Sequence, residues 1–131
     1  MEKRQISFSP PDITEEEIEA VAEVMRSGWI TTGPKTKELE RKMAEFTHTN
    51  RGVCLNSATS CMEMALRLFE IGPGDEVIVP AYTYTASASV VCHVGATLRL
   101  VDVEKGTFHI DYAAVESMIN ENTKAIIPVD L

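Results

Sequence analysis

A chain of 131 residues is about one domain, long enough to bury a real core. With a net charge of −8 it offers no basic stripe to neutralise phosphates along a nucleic acid, and that partner class is excluded. A hydrophobic content of 44% with 24% charged residues is ordinary for a soluble globular chain, and no apolar run approaches a membrane span.

The opening "MEKRQISFSPPD" lacks the apolar core of a secretory signal, so a cytoplasmic protein is expected. Thr14 and Glu17 then have the spacing of a capping box. Ile18, Val21, Ala22 and Met25 follow at helical spacing until Gly28. The glutamates of "TEEEIEAVAE" read as a solvated helix face. After "GWITTG", Pro34 fits the first position of a second helix, with Leu39, Met43 and Phe46 on one face. Glu38 with Arg41 and Lys42 predicts ion pairs along it. Trp29 in the connecting loop suits either packing or a ligand contact.

From residue 52 the pattern changes. "GVCL", "EVIVP", "TLRLVDV" and "KAIIPV" are short, largely continuous apolar runs, the signature of strands buried on both faces. Helical stretches alternate with them: Met62, Ala65, Leu66 and Phe69; then Thr85 to His93; then Val115, Met118 and Ile119 behind the cap Asp111. Strands alternating with helices predict an α/β fold, three layers around a mainly parallel sheet, preceded by a helical arm. The expected division is an arm over residues 1–50 and a sheet domain over 51–131.

In such sheets ligands bind beyond the carboxyl ends of the strands. Two stretches fall there. "NSAT" joins the first apolar run to a helix, where unpaired N–H groups and the helix dipole favour an anion. A plain helix cap by Ser57 or Asn56 accounts for the same residues. "AYTYTAS" follows the second run, and its tyrosines can face a planar ring or pack beneath a loop. Cys54, Cys61 and Cys92 lack paired spacing and read as buried thiols. His48, His93 and His109 share no ligand spacing, so no metal site is expected. Neither G-x-G-x-x-G nor a P-loop is present, which leaves a flavodoxin-like phosphate-binding module as a nucleotide-type alternative.

Taken together, "GWITTGPKTKELE", "NSATSCMEMAL", "IGPGDEVIVPAYTYTASAS", "GATLRLVDV" and "TKAIIPVDL" resemble the DegT/DnrJ/EryC1/StrS sugar aminotransferases. The resemblance runs in order through essentially the whole chain. It implies pyridoxal 5′-phosphate (PLP) on the large domain of a type I aminotransferase fold, of which this chain is an N-terminal portion. It implies that Ala58 and Thr59, with Ser57 beside them, hold the cofactor phosphate, and that Tyr84 lies against the pyridine ring, where many relatives carry Phe or Trp. Thr31, Thr32 and Gly33 are implied on the substrate side. Asp130 stands where many relatives carry His. The implied substrates are a nucleotide-linked keto sugar, resembling a UDP-4-keto-pentose, and an amino donor, with glutamate the family expectation. The pathway implied is cell-surface or related amino-sugar biosynthesis, the assembly a homodimer. The sheet order implied puts "EVIVP" between "TLRLVDV" and "KAIIPV", with "GVCL" at a far edge away from all three.

Transamination needs a lysine and a carboxylate at the pyridine nitrogen. None of Lys3, Lys35, Lys37, Lys42, Lys105 and Lys124 is suitably placed by the pattern, and the resemblance implies that both groups come later in the chain, beyond residue 131. Two alternatives to transamination remain. One is a sugar dehydratase of the same family, with histidine replacing the lysine; the other is a non-enzymatic phosphate-binding or regulatory module.

Overall fold

The structure, a computed structural model, describes residues 9–130; Lys3 and residues 1–8 of the stretch read for a leader lie outside them. The chain divides into two compact units, Met1–Cys54 and Leu55–Leu131.

The first unit holds two helices. Helix α1 (Glu15–Ser27) begins with the expected box: Thr14 N–H donates to the Glu17 carboxylate at 2.6 Å, and Glu16 N–H to Thr14 Oγ1 at 3.3 Å. It ends at Gly28, whose φ of 72° is the left-handed conformation that glycine adopts without strain. Helix α2 (Pro34–Phe46) starts with Pro34 inside its first turn. Lys42 pairs with Glu38 as expected, while Arg41 turns to Glu45, both four residues apart on the helix surface. The apolar faces exist but are uncovered here: Ile18, Val21 and Met25 of α1, and Leu39, Met43 and Phe46 of α2, are all exposed.

"GVCL" does not form the expected strand. Residues 51–55 carry no ladder; Cys54 N–H instead donates to the Glu40 carboxylate at 3.0 Å. An extended segment becomes a strand only against a partner, and Val53 is 74% exposed.

The second unit is an α/β layer. Helix α3 (Ala58–Leu68) leads into β1 (Glu76–Pro80), then α4 (Ala86–His93), β2 (Thr97–Val101), α5 (Tyr112–Met118) and β3 (Thr123–Ile126). The three strands are parallel in the order β2-β1-β3, which places "EVIVP" between the other two as expected. Both flanks of β1 are therefore taken, and "GVCL" has no place beside it. Alternate residues of β1 feed two cores. Val77 and Val79 pack with Leu66, Val90 and Val91 from α3 and α4. Ile78 packs with Val101, Ile110 and Val115 on the α5 side. Helices on both faces of a parallel sheet make the three layers, and each fully buried Val or Ile of β1 contributes about 1.5–3 kcal/mol.

The sequence expectation of buried thiols fails. Cys61 and Cys92 are exposed and Cys54 is half-buried, because both helical cysteines fall on faces turned away from the core. Polar staples fix the sheet's amino edge. Glu76 accepts from Arg99 at 3.2 Å and from Asn120 at 2.8 Å, tying β1 to β2 and to the turn before β3.

Candidate functional site

Residues 69–75 carry the chain from the end of α3 to the start of β1, so the C-terminus of α3 lies at the amino edge of the sheet. Helix α3 packs along α4 and the same core. Its N-terminus therefore points to the carboxyl edge, where the loops after β1 and β2 emerge.

That N-terminus is built from small residues. Ser57 is the N-cap, its Oγ accepting from Ser60 N–H at 3.1 Å, and Cys61 N–H closes the first helical bond to Ser57 C=O. Ala58 and Thr59 occupy the two positions between. Their N–H groups have no partner among the described residues, nor does the Thr59 hydroxyl. The cap thus accounts for Ser57 and leaves the next two residues free. No acidic side chain enters this first turn, whereas the first turn of α1 carries Glu15, Glu16 and Glu17 and is self-capped. An anion is repelled from α1 and favoured at α3. Further along α3, Glu63 is held below its ordinary pKa by its bonds to Arg67 and then to His93, so this carboxylate keeps its charge engaged away from the first turn.

The loop after β1 separates two tyrosines. Tyr82 stacks on Phe108, with ring centroids 4.8 Å apart and planes inclined by 26°, so its face is occupied. Tyr84 is 82% exposed and has no such partner. Thr83 between them bonds to the buried Ser87 at 3.1 Å, anchoring the loop to α4. Phe108 escaped the sequence reading, since nothing in the excursion after β2 marks it as a partner for a tyrosine so far upstream. The residues present fit a phosphate with an attached planar ring. Two free N–H groups and a hydroxyl stand at the helix start, and an unengaged aromatic follows the neighbouring strand.

The lysines of the second unit lie away from this helix start and loop. Lys124 is the second residue of β3, near the amino edge, lining a cavity of about 400 Å³ with Phe69, Glu70, Ile71 and Asp75, and its Nζ donates to Glu121 C=O at 2.8 Å. Lys105 is exposed in the turn Glu104–Thr107. In the first unit, Lys42 pairs with Glu38 and Lys35 lies 3.8 Å from Glu23. Among the described residues, no group of His, Cys, Asp and Glu is placed to hold a metal ion, and no helix is long and apolar enough to cross a membrane.

Thr31, Thr32 and Gly33 sit in the first unit, in the loop between α1 and α2. Trp29 folds back across this loop, its indole Nε1 donating to Thr32 C=O at 3.1 Å. A cavity of about 470 Å³ opens beside it, lined among others by Glu23, Trp29, Thr31, Gly33 and Lys35.

A parallel α/β layer whose carboxyl edge carries a Ser57-capped helix start of small residues with free N–H groups, and an unengaged aromatic, has the features with which domains of the doubly wound class bind anions. Comparison with known proteins narrows the class. The chain belongs to the DegT/DnrJ/EryC1/StrS aminotransferase family, whose profile matches residues 11–131. It is 46% identical over 119 residues to a UDP-4-amino-4-deoxy-L-arabinose–oxoglutarate aminotransferase of Shewanella sediminis, covering 91% of this chain and 31% of that protein. Among solved structures it is similar to Spr1654 of Streptococcus pneumoniae, assigned as a sugar aminotransferase. In its PLP-form the identity is 62% and the TM-score 0.88, over 95% of this chain and 32% of that one. An aminotransferase from Psychrobacter cryohalolentis matches at 33% identity with a TM-score of 0.82, over 92% of this chain and 31% of that one. The chain thus spans about a third of the length of these relatives.

Proposed function

We propose that this chain is the N-terminal portion of a PLP-dependent enzyme that transfers an amino group from glutamate to a nucleotide-linked keto sugar, for cell-surface or related amino-sugar synthesis. The observation that carries the reading is the first turn of α3, where Ala58 N–H, Thr59 N–H and the Thr59 hydroxyl are unengaged while Ser57 has already capped the helix. These three donors suit a phosphate, and Tyr84 supplies the face for its ring. PLP, when bound, supplies an electron sink for breaking bonds at the amine carbon. The chain's own residues hold and orient it: the α3 turn fixes the phosphate and Tyr84 limits tilt of the ring. Thr31, Thr32 and Gly33 are assigned to the substrate side, the arm over residues 1–50 carrying them and residues 51–131 carrying the cofactor half-site. The lysine and the carboxylate at the ring nitrogen are assigned beyond residue 131, and the working enzyme to a homodimer in the cytoplasm.

The test is amino transfer by the whole protein. With glutamate and a UDP-4-keto-pentose, 2-oxoglutarate and an amino sugar should appear in equal amounts. Loss of water from the sugar with no 2-oxoglutarate formed would point instead to the dehydratase of the same family. No cofactor retention and no turnover would point to a non-enzymatic module.

A further inference from the structure

The loop between α1 and α2 is closed by one aromatic side chain. Trp29 N–H is taken by Ser27 Oγ at 3.1 Å, which sets the start of the loop, and Ser27 Oγ itself donates to Val24 C=O at 2.6 Å. The indole then crosses to the loop's far end, where Nε1 reaches Thr32 C=O at 3.1 Å. Gly33 lies directly under the ring. A Cβ built there would run into Trp29 Nε1 and Cδ1 at distances no side chain tolerates. The glycine is not required by its backbone, since a φ of −164° is extended conformation open to any residue. It is required by the indole. Trp29 is nevertheless 58% exposed, so the ring gains little from burial where it sits, and its contacts serve the loop rather than a core.

We infer that Trp29 is a positioning residue. Its indole, seated on Gly33 and bonded to Thr32, holds Thr31 and Thr32 in one presentation beside the cavity that Trp29, Thr31 and Lys35 line. This rests on the reading of Thr31–Gly33 as substrate-side residues and adds the device that presets them. A loop held in its binding shape before the ligand arrives loses less entropy on binding, so the device acts on KM for the amino acceptor and leaves kcat and the amino-donor KM alone.

The experiment has two arms. Trp29 is the only tryptophan of the 131 residues, so its indole N–H gives a single cross-peak in a 15N-correlated spectrum of this chain. Gly33→Ala should displace that cross-peak and speed its solvent exchange, with helix content by circular dichroism unchanged; an unmoved cross-peak overturns the inference. In the whole protein, Gly33→Ala should raise the acceptor KM about tenfold, as expected when a positioned hydrogen bond is lost, and Trp29→Phe should raise it less. In a Trp29→Ala background, adding Gly33→Ala should raise the acceptor KM by far less than it does alone, because the indole it displaces is gone. Additive effects, or a change confined to kcat, overturn the inference. If the UDP-linked keto sugar is not an acceptor at all, the functional reading fails by itself. The cross-peak still judges the clamp, and the KM series is then read with whichever acceptor the enzyme turns over.

Discussion

Tyr82 and Tyr84 carry the same phenol two residues apart, yet the fold gives them different work. Tyr82 spends its face on Phe108 and Tyr84 keeps its face free. Tyr84→Ala in the whole protein should therefore weaken PLP retention and shift the cofactor's absorption. Tyr82→Ala should cost stability through the lost stack, about 0.5–1.5 kcal/mol, with little effect on the cofactor. Thermal melts and PLP titrations of the two variants separate the roles, and equal cofactor loss in both would contradict the assignment. Thr59 is the second test at this scale. Removing its hydroxyl in Thr59→Ala deletes one charge-assisted donor to the phosphate and should weaken PLP binding by about 1–3 kcal/mol. An unchanged dissociation constant would place the phosphate elsewhere. The helix start at Ser57, Ala58 and Thr59 was legible in the sequence because helix-start chemistry is local. The residues alone left the choice between the tyrosines open, since it depends on Phe108 arriving from a different loop, and only the family resemblance pointed to Tyr84.

The elements were read best where their signals are local. Thr14 with Glu17, Pro34, Ser57 and Asp111 all start helices as their side chains dictate. The α1 box also carries a pH dependence. The bonds from Thr14 hold the Glu17 carboxyl below its ordinary pKa of 4.5. A carboxyl lowered in the folded state contributes stability that is fully present above its unfolded pKa and lost as pH falls through the folded value. The first turn of α1 should accordingly fray on acidification, seen as faster amide exchange at Glu16 and Glu17. Glu17→Gln should fray already at neutral pH. A first turn indifferent to both would show that the box contributes nothing. The element misread was "GVCL", whose apolar run predicts a strand but whose partner cannot be read from its own residues. With β1 flanked by β2 and β3, amides of residues 52, 53 and 55 should exchange fast in this chain, while those of Val77–Val79 are protected. Protection of the whole "GVCL" stretch equal to β1 would contradict the unpaired assignment.

At the scale of the molecule, the proposal is a division of chemistry. The described residues offer a helix start with free N–H groups and a free ring at the sheet's carboxyl edge. The lysines of the second unit lie at the amino edge, in Lys124, and in an exposed turn, in Lys105. The order β2-β1-β3 was implied only by the family resemblance, while the parallel sheet was legible because alternation of strands and helices constrains topology strongly. The uncovered faces of α1 and α2 were not, since periodicity marks an apolar face without saying what covers it. We propose that this portion holds the cofactor phosphate while the reacting lysine comes from outside residues 1–131. Borohydride reduction with PLP, followed by mass-spectrometric mapping, tests it most directly. In the whole protein a single reduced pyridoxyl adduct should appear on a lysine outside these residues, and the 131-residue chain should show no dominant adduct and no amino transfer. A dominant adduct on one of Lys3, Lys35, Lys37, Lys42, Lys105 or Lys124, accompanied by turnover, would contradict it.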